Sequence, residues 1–162
     1  TSPSKSKFLQ KGQKSSYSGR TVDYTYPMEH IDYLKNDSLL NNYIIKLKSK
    51  IPSIVSPLSY ISKNSSLGMG TILMHGTIVN ANVSIGQNCI INSKSLIEHD
   101  VFIGDHNHIS TGAILNGEVK IKKNTFIGSG VIVFNNITIG ENCIVSAGSI
   151  IKKDLPDNSI IK

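Results

Sequence analysis

Residues 73–115 read L MHGTIV NANVSI GQNCII NSKSLI EHDVFI GDHNHI STGAIL when divided after every sixth residue, and each block closes on Val, Ile or Leu. The spacing continues in both directions. Every sixth residue from Ile61 to Ile151 is aliphatic, sixteen in succession without an insertion, and Val55 begins one further, imperfect repeat. A period of six matches neither the 3.6 residues of a helical turn nor the two-residue alternation of a half-buried strand. A fixed internal period of this kind marks a solenoid.

The remaining positions of each block support a coil. Three residues after each aliphatic stands Asn, Gly or Asp in thirteen of the sixteen repeats, types that tolerate a left-handed backbone better than other residues. Four residues after it the side chain is mostly small or β-branched, as in Thr71, Val83, Cys89, Val101, Ala113, Val131 and Ser149. Each block is therefore a short strand followed by a corner. Three blocks make a triangular coil of eighteen residues with the aliphatics inside, and successive coils stack about 4.8 Å apart. The spacing predicts an all-β fold over residues 55–162, a parallel β-solenoid of about five triangular coils.

The ends are patterned differently. Residues 38–54 predict a short amphipathic helix and a linker, with Leu39, Leu40, Tyr43, Ile44 and Leu47 on one side and Pro52 closing it. A helix there would cover the open end of the core, as a solenoid requires. Residues 1–37 show no convincing periodicity and read as an irregular N-terminal segment.

Composition narrows the function classes. The 162 residues contain no Trp and few aromatics, a balance that suits strands around a narrow core. The net charge of +6 is uneven: residues 1–54 hold nine Lys and Arg against four acids, residues 55–162 eight against seven. A basic excess in a Ser/Lys-rich end is a solvated tail more often than a nucleic-acid surface, so no nucleic-acid partner is expected. No apolar run reaches the roughly 18 residues of a membrane span, and no signal-peptide pattern opens the chain. A cytoplasmic location is the default. Cys89 and Cys143 both take the small inward position, three coils apart, or about 14 Å. That is too far for a disulfide and consistent with buried thiols in a reducing compartment.

Inward residues of a solenoid are committed to folding, whereas outward ones are free to carry chemistry. Most here are ordinary Ser, Asn, Lys or Thr. The exception is Glu98-His99-Asp100-Val101-Phe102-Ile103-Gly104-Asp105-His106-Asn107-His108, which holds three of the five histidines. By block position His99 and His108 point outward, and His106 occupies a corner. An outward imidazole beside a carboxylate is suited to general-base work; a polar surface cluster would have the same composition. His30 and His75 lack such company and read as structural.

Eighteen residues beyond His99 lies Gly117, which would leave open space and an approachable N–H beside the imidazole, suited to an oxyanion, or would simply serve a turn. Gly112, Gly130 and Gly148 form a second eighteen-residue column, either a bare strip along which a pantetheine arm could lie or ordinary corner glycines. The stacking rule predicts imidazole, amide and strip on one outer edge.

The repeats resemble the hexapeptide-repeat acyltransferase superfamily over roughly residues 52–156, which implies a left-handed twist. The stretch IEHDVFIGDHNHISTGAILNG, residues 97–117, resembles the branch of bacterial sialic-acid O-acetyltransferases and N-acetyltransferases of nucleotide-linked amino sugars. The resemblance implies His99 as the base, Asp100 as its orienting acid and Gly117 as the oxyanion donor. It further implies His108 at the thioester carbonyl of acetyl-CoA, a homotrimer with sites between subunits, and no metal. Two family features lack counterparts here. No Gly-rich nucleotide-binding turn surrounds Gly12 or Gly19, so nucleotide contacts do not carry over. The usual Gly-x-Pro-Ala-Lys-like ending is missing, which leaves Lys152 and Lys153 as candidates for CoA phosphates or as plain surface lysines. The acceptor expected is the amino group of a nucleotide-linked sugar. Competing functions are O-acetylation of sialic acid, a non-catalytic trimeric scaffold, and a zinc hydrase resembling the γ-class carbonic anhydrases, which would need His99, His106 and His108 to converge.

Overall fold

The computed structural model describes residues 14–17, 20–23 and 52–162. The chain divides into two units, residues 1–43 and 44–162. In the first, Lys14–Tyr17 pairs antiparallel with Arg20–Asp23, a short hairpin within a segment that shows no periodicity. The helix expected over residues 38–50 lies outside the described residues.

The second unit is a parallel β-helix whose strands are all two residues long. They form three faces. The first holds seven strands, Ile54–Val55, Ile72–Leu73, Ile90–Ile91, His108–Ile109, Phe126–Ile127, Ile144–Val145 and Ile160–Ile161; the second and third hold six and five. These make about six turns, one more than the hexad count predicts. Ile54–Val55 pairs with Ile72–Leu73 and so opens a full coil. At the other end Ile160–Ile161 pairs with Ile144–Val145, a step of sixteen residues instead of eighteen. The missing two fall after Ile151, where Leu155 takes the inward place by bridging to Ile139.

Elsewhere every partner is eighteen residues away, as in Leu96↔Ile114 and Ile114↔Ile132. The inward aliphatics from Leu73 to Ile151 are at most 5% exposed. Corner geometry is uniform. The third position of each block from Gly70 to Gly148 has positive φ, between 53° and 74°. Gly and Asn fill most of these places; Lys94, His106 and Glu118 adopt the same conformation without that advantage.

The small fourth position satisfies the backbone across coils. Thr71 Oγ1 donates to Gly86 O at 2.7 Å and accepts from the N–H of Cys89 at 3.0 Å. Thr125 does the same for Gly140 and Cys143. Among the described residues no buried side-chain nitrogen or oxygen lacks a partner. Both cysteines are free and buried, and burial pushes the Cys89 thiol up to about 11, which keeps it unreactive at neutral pH.

Because the core is one continuous column of aliphatics, deletion of one side chain leaves a cavity that neighbouring coils cannot close. Ile109→Ala should lower the unfolding free energy by about 2–5 kcal/mol in urea denaturation. Asn124→Gly, which keeps the left-handed corner, should change it by less than about 1 kcal/mol.

Candidate active site

The three faces meet at three edges, and each edge is a stack of corners eighteen residues apart. The edge between the second and third faces carries Asn80 and Asn82 on one coil, Glu98, His99 and Asp100 on the next, then Asn116, Gly117 and Glu118, then Asn135. Each corner here follows an inward aliphatic of the second face, Val79, Ile97, Leu115 and Val133 in turn.

His99 is exposed, and its Nδ1 lies 2.8 Å from Asp100 Oδ2. The hydrogen bond to Asp100 is the largest cause holding the imidazole above its ordinary value; charge on Asp100, Glu98 and Glu118 adds to it. The same bond, with one from Asn82, holds the Asp100 carboxyl below its usual range. With a carboxylate accepting at Nδ1, the neutral ring carries its hydrogen there and leaves Nε2 as the basic nitrogen. The carboxylates are themselves held: Asn82 Nδ2 donates to Asp100 Oδ1 at 3.1 Å, and Asn80 Nδ2 to Glu98 Oε2 at 2.9 Å.

Gly117 stacks against the ring. A Cβ there would lie 2.6 Å from Cε1 and 2.7 Å from Nε2 of His99. The space expected beside the imidazole is therefore filled by the imidazole itself, and glycine is required for the ring to come this close to the next coil. The Gly117 N–H has no hydrogen-bond partner among the described residues. An open cleft of about 430 Å³ runs along this edge, lined by Glu98, His99, Asn116, Gly117, Glu118 and Asn135. Its lining is acidic and amide-rich, with no lysine or arginine.

The other candidates stand elsewhere, so the single common edge predicted from stacking is not what the fold builds. Gly112, Gly130 and Gly148 occupy the edge between the first and second faces; a Cβ at any of them would meet nothing within 4 Å. The reason is arithmetic: Gly112 precedes Glu118 by one block, which is one face of the triangle, not one coil. His106 is at the third edge, its Nδ1 3.0 Å from Asn88 Nδ2. His108 has the outward position on the first face but is only 6% exposed. Its ring meets Phe126 edge-on at 5.3 Å, and its Nε2 lies 3.4 Å from Asn92 Nδ2. Among the described residues no three His, Cys, Asp or Glu groups converge in a way that would hold a metal. His75 Nδ1 bonds to Ser56 Oγ at 2.5 Å. Lys152 sits over the ring of Phe134, 5.4 Å from its centroid.

Asn80, Asn82, Asn116 and Asn135 were not identifiable by composition, since Asn is common at corners. Counting eighteen back from Glu98 and Asp100 reaches Asn80 and Asn82.

Residues 118–153 match the family model of the bacterial transferase hexapeptide, six repeats. No curated protein sequence matches the chain. Among solved structures it is similar to PerB of Caulobacter crescentus, crystallised with CoA and GDP-perosamine, at 29% identity over 78% of this chain and 61% of that one, TM-score 0.76. It is similar also to the acetyltransferase domain of PglB from Neisseria gonorrhoeae with acetyl coenzyme A, at 26% identity over 78% and 62%, TM-score 0.77. The chain thus spans about three-fifths of the length of these relatives. WeeI of Acinetobacter baumannii, 24% identical over 90% of this chain and 76% of that one, shares the fold with TM-score 0.75.

Gly117 lacks positive φ, so alanine fits its backbone and only the His99 ring must move. Gly117→Ala should leave the melting temperature within about 2 °C while displacing the ring by the order of 1 Å, enough to cost about 100-fold in any rate the imidazole controls. Calorimetry and kinetics on the same preparation check both halves.

Proposed function

We propose that this hexapeptide-repeat chain, whose solenoid is the left-handed β-helix of the bacterial hexapeptide transferases, is an acetyl-CoA-dependent acetyltransferase for the amino group of a nucleotide-linked amino sugar. The observation that carries the proposal is the His99 imidazole, braced at Nδ1 by Asp100 and stacked on the side-chain-free Gly117. An exposed acid–base pair packed against an amide is not needed by the fold, which would accept Asn and Ala there.

The chemistry follows from these groups. His99 Nε2 takes the proton of the acceptor amine as its nitrogen attacks the thioester carbonyl. The Gly117 N–H stabilises the oxygen that becomes negative, and the CoA thiolate leaves without an acyl-enzyme. Holding both substrates side by side supplies much of the acceleration, and a braced base contributes about 10²–10⁴-fold. Glu98, Asp100 and Glu118 give the cleft a negative field. That favours binding of a cationic amino sugar, which gives its first proton to water and attacks as the neutral amine, and disfavours sialic acid, itself an anion. The relatives crystallised with CoA, acetyl coenzyme A and GDP-perosamine agree with this substrate pair.

A single chain supplies only part of such a site. The strip of Gly112, Gly130 and Gly148, with space for a pantetheine arm, lies one face away from His99, as does His108. A homotrimer that sets one chain's His99 edge against a neighbour's glycine strip and His108 would complete it. The exterior supports self-association: outward positions on the first and second faces, His108 apart, are mostly apolar, among them Ile72, Ile78, Ile90, Leu96, Ile114 and Ile132. Those on the third are Ser66, Ser84, Phe102, Lys120 and Thr138. Two apolar sheet faces are more than an isolated monomer normally exposes. A cytoplasmic location belongs to the same reading; the proposed use of acetyl-CoA and two buried free thiols support it.

Acetyl transfer from acetyl-CoA should be detected with nucleotide-linked 4-amino sugars and be at least about tenfold slower with sialic acid. His99→Ala should lower kcat by about 10²–10⁴-fold with acetyl-CoA binding retained in calorimetry. Transfer to sialic acid alone, or wild-type turnover by His99→Ala, would overturn the assignment.

A further inference from the structure

We propose that Asn82, on the coil before the site, is a positioning residue: it fixes the Asp100 carboxylate and through it the orientation of the His99 ring. The inference rests on His99 being the base.

Asp100 has two carboxylate oxygens and each has a separate partner. Oδ2 takes the His99 Nδ1 at 2.8 Å, and Oδ1 accepts from Asn82 Nδ2 at 3.1 Å. The backbones are tied as well, since the Asp100 N–H donates to Ala81 O at 3.0 Å. Asn82 and Asp100 are stacked corner residues with φ of 60° each, so their side chains leave the same edge in the same direction. This registration is what puts an amide within reach of the carboxylate.

Asp100 needs such a brace. Its side chain is 49% exposed and that of His99 58%, and an exposed contact between adjacent residues is weak and easily replaced by water. A carboxylate with one oxygen anchored cannot turn away from the ring without breaking a second bond. A neutral amide is the suitable donor. A lysine at position 82 would hold Asp100 equally well but would cancel the charge that stabilises the imidazolium. The fold alone does not demand Asn82, because glycine serves the same third position at Gly70, Gly76 and Gly112. Asn80 makes the parallel contact to Glu98, so one coil supplies two amides for two carboxylates of the next.

The groups facing the ring are Asp100, Glu98 and Glu118, all acidic, and all favour its protonated form. The sign of each change follows. Loosening Asp100 removes stabilisation of the imidazolium and brings the His99 titration midpoint down towards its ordinary value. A further carboxylate at position 82 pushes it up.

The test uses the full chain with Asn82→Gly, which keeps the left-handed corner, Asn82→Asp, and Asn124→Gly as a control at another edge. The His99 ring is titrated by NMR, and kcat/KM for acetyl transfer to a nucleotide-linked 4-amino sugar is followed against pH. In Asn82→Gly the midpoint and the acid limb should both move to lower pH. Its plateau kcat should fall about tenfold, the lower end of the cost of losing a partner behind a functional side chain, with KM for acetyl-CoA unchanged. In Asn82→Asp both should move to higher pH, and in Asn124→Gly neither should move. A His99 midpoint unchanged in both Asn82 variants overturns the inference while leaving His99 as the base. A midpoint that moves while the acid limb stays fixed overturns His99 as the base, and this role for Asn82 with it.

Discussion

Closure of each coil at eighteen residues is the constraint from which the rest of the molecule follows. It is imposed at the corners. Through most of the stack a two-residue strand turns into the next face on one residue with a left-handed backbone, which costs most side chains roughly 1 kcal/mol or more. From Gly70 to Gly148 that residue recurs every sixth position without exception. The repeat therefore does more than bury aliphatics: it sets the register in which every residue lies over the one eighteen before it. Where two residues are lost, after Ile151, the regular hexad ends, and a single inward leucine at position 155 keeps the stack closed for one more strand.

A stack of this kind turns sequence into columns, and columns are where inward and outward requirements separate. The inward columns are nearly uniform because any change in volume is transmitted to the coils above and below. The outward columns can differ from coil to coil with little effect on the fold. Asp100 exploits the one position where the two overlap. It fills the left-handed corner, which Asp tolerates, and presents its carboxylate to the adjacent imidazole. The brace thus occupies a place that the architecture must fill in any case. Glu118, at the same position one coil on, has no such tolerance, yet it contributes charge to the cleft.

Legibility in the sequence followed the same division. The parallel register, the inward aliphatics and the buried free cysteines were all readable, because each depends on a period that sixteen repeats state without interruption. So was the juxtaposition of His99 and Gly117, which is one coil of arithmetic. Two features were not. The close approach of the ring to Gly117 depends on how the imidazole lies, and a one-dimensional period contains no side-chain rotamers. The glycine strip lies on a different edge from His99, against the stacking expectation, for another reason. Residues 112 and 118 differ by six, so the period itself places them on successive edges, and equal spacing within each of two columns says nothing of the offset between them. The burial of His108 under Asn92 and Phe126 was likewise invisible, since an outward position in the repeat says nothing about whether neighbouring outward side chains cover it.

That offset bears on what a β-helix needs in order to work as an enzyme. A triangular prism has flat faces and projecting edges, and the cleft along the His99 edge is open to water, whereas ligand sites exclude much of the water around their ligand. The coil can bring a base, its brace and an amide together on an edge, but it cannot fold that edge inward without breaking the register that assembled them. On the proposed reading, enclosure comes from a second body. The same columns that leave the His99 edge polar make the exteriors of the first and second faces apolar, and on the proposed reading these two facts have one cause. The faces bring a second chain alongside, and the edge becomes the wall of a groove. In such an assembly the glycine strip is useful because it lies on a different edge from the base: two edges of one prism cannot face each other, but edges of two prisms can.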